Sequence, residues 1–198
     1  MTPKGDPKSF TCDVNSINGI RWDQTSFFAP ATRDTPRNVR PSATFFNRGQ
    51  SAWPLIARSK PVPAGGCWAS ALPVGAMSSS GSTPLRLGFC VSAKNLYGVS
   101  VVSIGYEFIL QSGSRLGASG MYIARLEVAP TNVDIAWGWN VDMTVAIQSP
   151  GEYGDPTALF ATLPAQLQLK IETEIKTDQV SKLHLAYPQG VLMQSAGT

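Results

Sequence analysis

The chain has 198 residues, a net charge of +3, 15% charged and 43% apolar residues, and three cysteines. This is enough for one domain with a sizeable core. No apolar run approaches the 18 residues of a membrane span, and the odd, widely spaced Cys12, Cys67 and Cys90 argue against a disulfide scaffold or zinc module and fit a reducing compartment.

Charge is uneven. Residues 1–60 hold nine Lys/Arg against four Asp, a balance of +5, while residues 61–198 hold seven against nine acids, −2. An anionic partner on one side is the functional reading, and ordinary surface charge is the plain one. Sparse helix formers, 18 Gly, 15 Pro and patterned runs of Val, Ile, Thr and aromatics favour an all-β fold.

MTPKGDPKSF lacks the apolar stretch of a secretory leader. Residues 1–42, broken by Pro3, Pro7, Pro30, Pro36 and Pro41, read as an extended arm with Phe10, Trp22, Phe27 and Phe28 as anchors. Its Lys4, Lys8, Arg21, Arg33, Arg37 and Arg40, with Arg48, Arg58 and Lys60 just beyond, are the candidate RNA-binding set. Arginine pairs bidentately with phosphate, and neighbouring Trp or Phe can stack on bases. They form no polybasic run, so binding by a single chain would be weak and salt-sensitive.

Short strands are expected at Phe45–Asn47, Trp53–Ala57 and Cys67–Leu72, with Pro54 placing the second at a sheet edge. GAMSSSGSTP, residues 75–84, reads as a loop. Alternation then predicts strands around Leu85–Ser92, Val102–Leu110, Tyr122–Val128, Leu167–Ile175 and Leu183–Tyr187, with Tyr106 and Phe108 in the core. Thr157–Leu163 suits one short helical turn, and residues 190–198 a loose end.

The most patterned stretch is NVDIAWGWNVDMTVAIQ, Asn132 to Gln148, apolar at every odd position. As one strand it would run for roughly 55 Å, so it either bends at Gly138 or breaks there. Trp137, Trp139 and Val141 are assigned to the core by the alternation, although two Trp flanking a glycine would also suit a sugar platform.

No GxSxG, HExxH, Walker or GxGxxG motif occurs. His184, the one histidine, falls on the polar face beside Lys182 and reads as a solvated side chain; catalytic residues and bound metal or cofactor are expected to be none. Glu152 and Asp155, with Asp134 or Asp178, are the carboxylates that an inter-subunit calcium would draw on, and turn acids are the plain reading.

The segment SGMYIARLEVAPTNVDIAWGWNVDMTVAIQSP, residues 119–150, resembles the closing strand pair of jelly-roll coat proteins from small positive-strand RNA viruses of the plant-virus type. The corresponding parts are a strand Met121–Ala129, a turn at Pro130-Thr131, and a last strand Val133–Ile147 ending at Pro150. The arm lacks the dense Arg/Lys cluster of many such coats, and two further strand-like runs follow the presumed last strand.

The resemblance implies an eight-stranded antiparallel jelly-roll β-sandwich: an arm over 1–42, a shell domain over 43–187 and a tail over 188–198. It implies a structural coat subunit that self-assembles into an icosahedral capsid around single-stranded RNA, made in the host cytoplasm and found in the virion, without membrane insertion. The other reading is a β-sandwich carbohydrate-binding or adhesin module using Trp137, Trp139 or Trp68.

Overall fold

A computed structural model of the chain describes residues 20–24, 39–63, 65–74, 82–114, 119–155 and 158–193. Among them are fourteen strands and no helix. They are β1 (Ile20–Gln24), β2 (Arg40–Pro41), β3 (Phe45–Gly49), β4 (Ala52–Ala57), β5 (Lys60–Pro61), β6 (Ala69–Pro73) and β7 (Leu85–Lys94). There follow β8 (Ser100–Ser114), β9 (Ser119–Ile135), β10 (Asn140–Ile147), β11 (Gly151–Tyr153), β12 (Ala158–Glu172), β13 (Thr177–Tyr187) and β14 (Gly190–Met193).

Strand pairing sorts most of the strands into two layers. One runs β3-β6-β9-β8-β7-β1. The other runs β5-β4-β10-β12-β13-β14. They are joined through β12. Its residues Ala158–Phe160 pair in parallel with Ser119–Met121 of β9, and its later part pairs antiparallel with β10 and β13. The result is all-β and sandwich-like, built on a large mixed sheet that folds over without closing.

The inward faces follow from period-2 patterning. Leu87, Phe89 and Val91 of β7, Ile104, Tyr106 and Phe108 of β8, and Val141, Met143 and Val145 of β10 are all buried. Trp53 of β4 reaches across the layers and donates from Nε1 to the Val128 carbonyl of β9 at 3.4 Å.

Three local expectations change, at Pro130-Thr131, at Thr157–Leu163 and at Gly190–Met193. Pro130-Thr131 is no turn: β9 passes straight through it, and a register shift opposite Gly105/Tyr106 of β8 accommodates the missing N–H. The break falls at Gly138 instead, whose φ of +84° lies where glycine is favoured. The turn is closed by Trp139 N–H donating to the Ala136 carbonyl at 3.2 Å, and it carries the chain from β9 in one layer to β10 in the other.

Thr157–Leu163 is no helical turn; from Ala158 it is the start of β12, with Ala161 and Leu163 buried in strand alternation. Gly190–Met193 is no loose end but a strand on β13, with Val191 buried. The described parts of the arm are strands as well: Ile20–Gln24 pairs with β7, and Arg40–Pro41 pairs with β11.

Candidate interaction surface

Three turns come together at one end of the molecule. The β7–β8 turn carries Leu96, Tyr97 and Val99; the β9–β10 turn carries Trp137; the β12–β13 turn carries Ile175. The first two are neighbours because β8 and β9 pair there, with Ala136 N–H donating to the Val101 carbonyl at 2.9 Å. The second and third are neighbours because Asn140 of β10 lies opposite Glu172 of β12. A cleft of about 330 Å³ between them is lined by Gly138, Trp139, Asn140, Glu172, Thr173, Glu174 and Thr177.

These tips are apolar and almost fully in solvent: Leu96 and Trp137 are bare, Tyr97 is 91% exposed and Ile175 is 96% exposed. The turns themselves are well ordered by local bonds. Asn95 Oδ1 accepts from Tyr97 N–H and Val99 N–H, both at 3.0 Å, and Thr173 Oγ1 accepts from Lys176 N–H at 3.0 Å. Polar backbones hold the turns in shape and present apolar tips outward.

Trp137 therefore is not a core residue. It continues the inward alternation of Val133 and Ile135 in sequence only; β9 ends at Ile135, and the positive-φ turn leaves the indole 97% exposed. Trp139 is partly buried against the core, while Val141, Tyr106 and Phe108 are fully buried. Ile175, assigned to a strand by alternation, sits in the turn beyond Glu172.

The expected basic set does not gather into one patch. Arg40 pairs with Glu152 at 3.0 Å beside the start of β12. Arg48 is exposed on β3, opposite Ser70. Arg58 and Lys60 are exposed on the β4–β5 hairpin at the apolar end, where Asp142 Oδ1 accepts from Arg58 N–H at 2.8 Å. Along β12, the Arg40 and Arg58 levels differ by roughly 30 Å at about 3.3 Å per residue. Arg21 is half-buried and pairs with Asp23 at 2.7 Å. Lys4, Lys8, Arg33 and Arg37 lie outside the described residues.

The carboxylates do not converge within one chain. Glu152 and Asp155 lie toward the start of β12, and Asp134 and Asp178 near the opposite end, Asp178 paired with Lys176 at 2.7 Å. Among the described residues no group of three His, Cys, Asp or Glu is placed to hold a metal ion.

His184 departs most from its sequence reading. It is fully buried between the layers, ringed by Trp22, Phe89, Tyr106 and Phe108. Its Nε2 lies 3.0 Å from the Tyr106 hydroxyl, and Nδ1 is buried without a partner of normal geometry. Burial pushes its pKa down to about 4, with the Lys182 backbone pulling the other way and the Lys182 charge adding to the fall. Burial, and then Asp23, hold the Tyr106 phenol well above its ordinary range. The pair links β8 of one layer to β13 of the other inside an aromatic cage.

The cysteines also differ from expectation. Cys90 is disulfide-bonded, Cys67 is free, and Cys12 lies outside the described residues.

The exposed end was missed in the sequence because alternation carries no information at a turn tip. The signals present were Asn95 and Gly98 bracketing Leu96-Tyr97, and Gly138 after Trp137. Compared with protein-family models, curated proteins and solved structures, the chain matches none.

Proposed function

We propose that the protein is a structural subunit: a jelly-roll coat protein that self-assembles into a closed icosahedral shell around single-stranded RNA. The observation that carries this reading is a charge-poor β-sandwich that leaves a cluster of large apolar side chains on ordered turns at one end. Exposing them forgoes about 1.5–3 kcal/mol for each large side chain that could be covered, so a repeated subunit contact is what such a surface suits.

The strand order supports the jelly-roll assignment. In one layer β7, β8 and β9 form a meander with β6 beside β9, the spatial order of a Greek key, while in the other β4, β10, β12 and β13 lie side by side in chain order. In this reading Arg48, Arg58 and Lys60, with the cations of the arm, face phosphate, and no residue is catalytic. Assembly takes place in the host cytoplasm, and the protein resides in the virion. Negative-stain electron microscopy and sizing of the purified chain test it: particles of uniform size are expected, and a monomer at every salt and pH overturns it.

One observation favours a carbohydrate-binding or adhesin module instead. Trp137 stands in solvent beside the cleft lined by Trp139, Asn140, Glu172 and Thr173, an aromatic face next to polar groups. A glycan that shifts tryptophan fluorescence in the wild type and not in Trp137→Ala would select this reading.

A further inference from the structure

The apolar end has a charge pattern of its own. β10 runs between β4 and β12, so the β4–β5 hairpin lies on one side of the cleft and the β12–β13 turn on the other. Arg58 and Lys60 occupy the first flank, Glu172 and Glu174 the second, about 10–15 Å away across two to three strand spacings. Glu172 is paired with Lys170 at 2.5 Å. Among the described residues nothing pairs with the side chains of Arg58, Lys60 or Glu174.

We propose that this end binds a second copy of the same chain, end to end about a two-fold axis. A two-fold axis perpendicular to both the strand direction and the line joining the flanks reverses that line. The Arg58/Lys60 flank of one copy then meets the Glu174 flank of the other, twice over, while the apolar tips meet between them. A contact of this kind is isologous: one patch serves both partners.

The area fits a stable pair. Tyr97 and Trp137, at roughly 150–250 Å² each, together with Leu96, Val99 and Ile175, offer on the order of 700 Å², close to the ~800 Å² per partner of a standard interface. Apolar centre and charged rim are the usual anatomy. An anionic lipid surface suits the patch less well, because Glu172 and Glu174 would face it beside the cations. A glycan would use Trp137 and leave Leu96 and Ile175 uncovered.

The contact requires no shell and stands on this end alone. Light scattering coupled to size exclusion, over a range of protein concentration, tests it on the full chain. A concentration-dependent dimer is expected, and Trp137→Ser with Ile175→Ser is expected to shift it to monomer with an unchanged far-UV spectrum and unfolding midpoint. Arg58→Glu with Lys60→Glu weakens association at least about tenfold, as does Glu174→Lys; combining all three restores it, because both flanks are exchanged. A wild-type monomer up to about 100 µM, or a triple variant that is not restored, overturns the proposal. So does a monomer that co-sediments with phosphatidylserine vesicles or whose tryptophan emission shifts with oligosaccharide. Dimers without larger particles uphold this contact and remove the shell reading. Particles that form unchanged in the Trp137→Ser, Ile175→Ser variant uphold the shell and remove this contact.

Discussion

The hydroxyl of Tyr106 on β8 and Nε2 of His184 on β13 lie 3.0 Å apart at the centre of the sandwich, joining its two layers by a buried polar contact inside an aromatic cage. The phenol is held in its protonated form by burial and by Asp23, and the imidazole is held neutral by burial. Charging the imidazole would place a cation in this aromatic cage, sealed from water.

Acid should therefore weaken the fold through His184. Its pKa falls from 6.5 in the unfolded chain to about 4 in the folded one. Between those values the unfolded chain binds a proton that the folded chain does not. The stabilisation is thus fully present above about pH 6.5 and is lost progressively as pH falls toward 4. The contribution is about 3 kcal/mol. Urea unfolding followed from pH 7 to pH 4 should show the loss, and His184→Gln should flatten the slope over that window. An unchanged slope in the variant would rule His184 out as its source.

Tyr106→Phe removes one partner and leaves Nε2 buried without the other. The cost expected is about 1–3 kcal/mol from the unmet polar group, larger than the ~1 kcal/mol net worth of an ordinary hydrogen bond. The double variant Tyr106→Phe, His184→Phe replaces both polar groups with apolar rings of comparable shape, and should be less destabilised than the sum of the singles. Chemical denaturation of the four proteins in the cycle measures the coupling.

Much of the core was legible in the sequence for a simple reason. On β7, β8 and β10 the local alternation and the final burial coincide, because each strand has one face covered and one freer: Leu87, Phe89 and Val91, or Val141, Met143 and Val145, point inward as their spacing dictates. On β13 it misled. Leu183, Leu185 and Tyr187 outvote His184 by hydropathy, yet the pairing with β12 sets His184 opposite Ala165 and Ala186 opposite Leu163, and Ala165 and Leu163 belong to the core face. Cross-strand partners share a face, so a pairing distant in sequence decided the parity. Trp137 illustrates the complementary failure: alternation holds only while a strand continues, and β9 ends two residues earlier.

Two glycines with positive φ should respond differently to alanine. At Gly138, φ +84°, a Cβ would meet nothing within 4 Å, so the cost is backbone strain alone, about 1 kcal/mol. At Gly49, φ +115°, a Cβ would stand 2.3 Å from the Trp68 carbonyl oxygen, a backbone atom that cannot swing aside. Gly49→Ala should cost about 2–4 kcal/mol and disturb the β3–β6 pairing. Equal unfolding midpoints for the two variants would contradict the clash at Gly49.

Arg40 is better explained by Glu152 than by nucleic acid. The Glu152 side chain is 8% exposed, and the Arg40 guanidinium 3.0 Å away is its ion-pair partner. Arg40→Ala strands a buried carboxylate and should cost about 1–3 kcal/mol, whereas Arg40→Ala with Glu152→Gln should recover part of the loss. Thermal unfolding at neutral pH checks both. A fully stable Arg40→Ala protein would return Arg40 to the set available for phosphate.

For RNA, the RNA-binding reading makes a countable prediction about Arg58 and Lys60. Both are exposed and sit within one hairpin, so one strand of nucleic acid can meet both. Each phosphate neutralised on single-stranded nucleic acid contributes about 0.7 to the slope of log affinity against log salt. Removing both charges with Arg58→Ala and Lys60→Ala should lower that slope by about 1.4 and weaken binding of homopolymeric RNA regardless of sequence. Fluorescence anisotropy across a salt series measures it. Arg40→Ala, with its guanidinium already committed to Glu152, should leave the slope where it is. If the slope is the same in all three proteins, phosphate is bound by cations other than these, and the hairpin belongs to the apolar end alone.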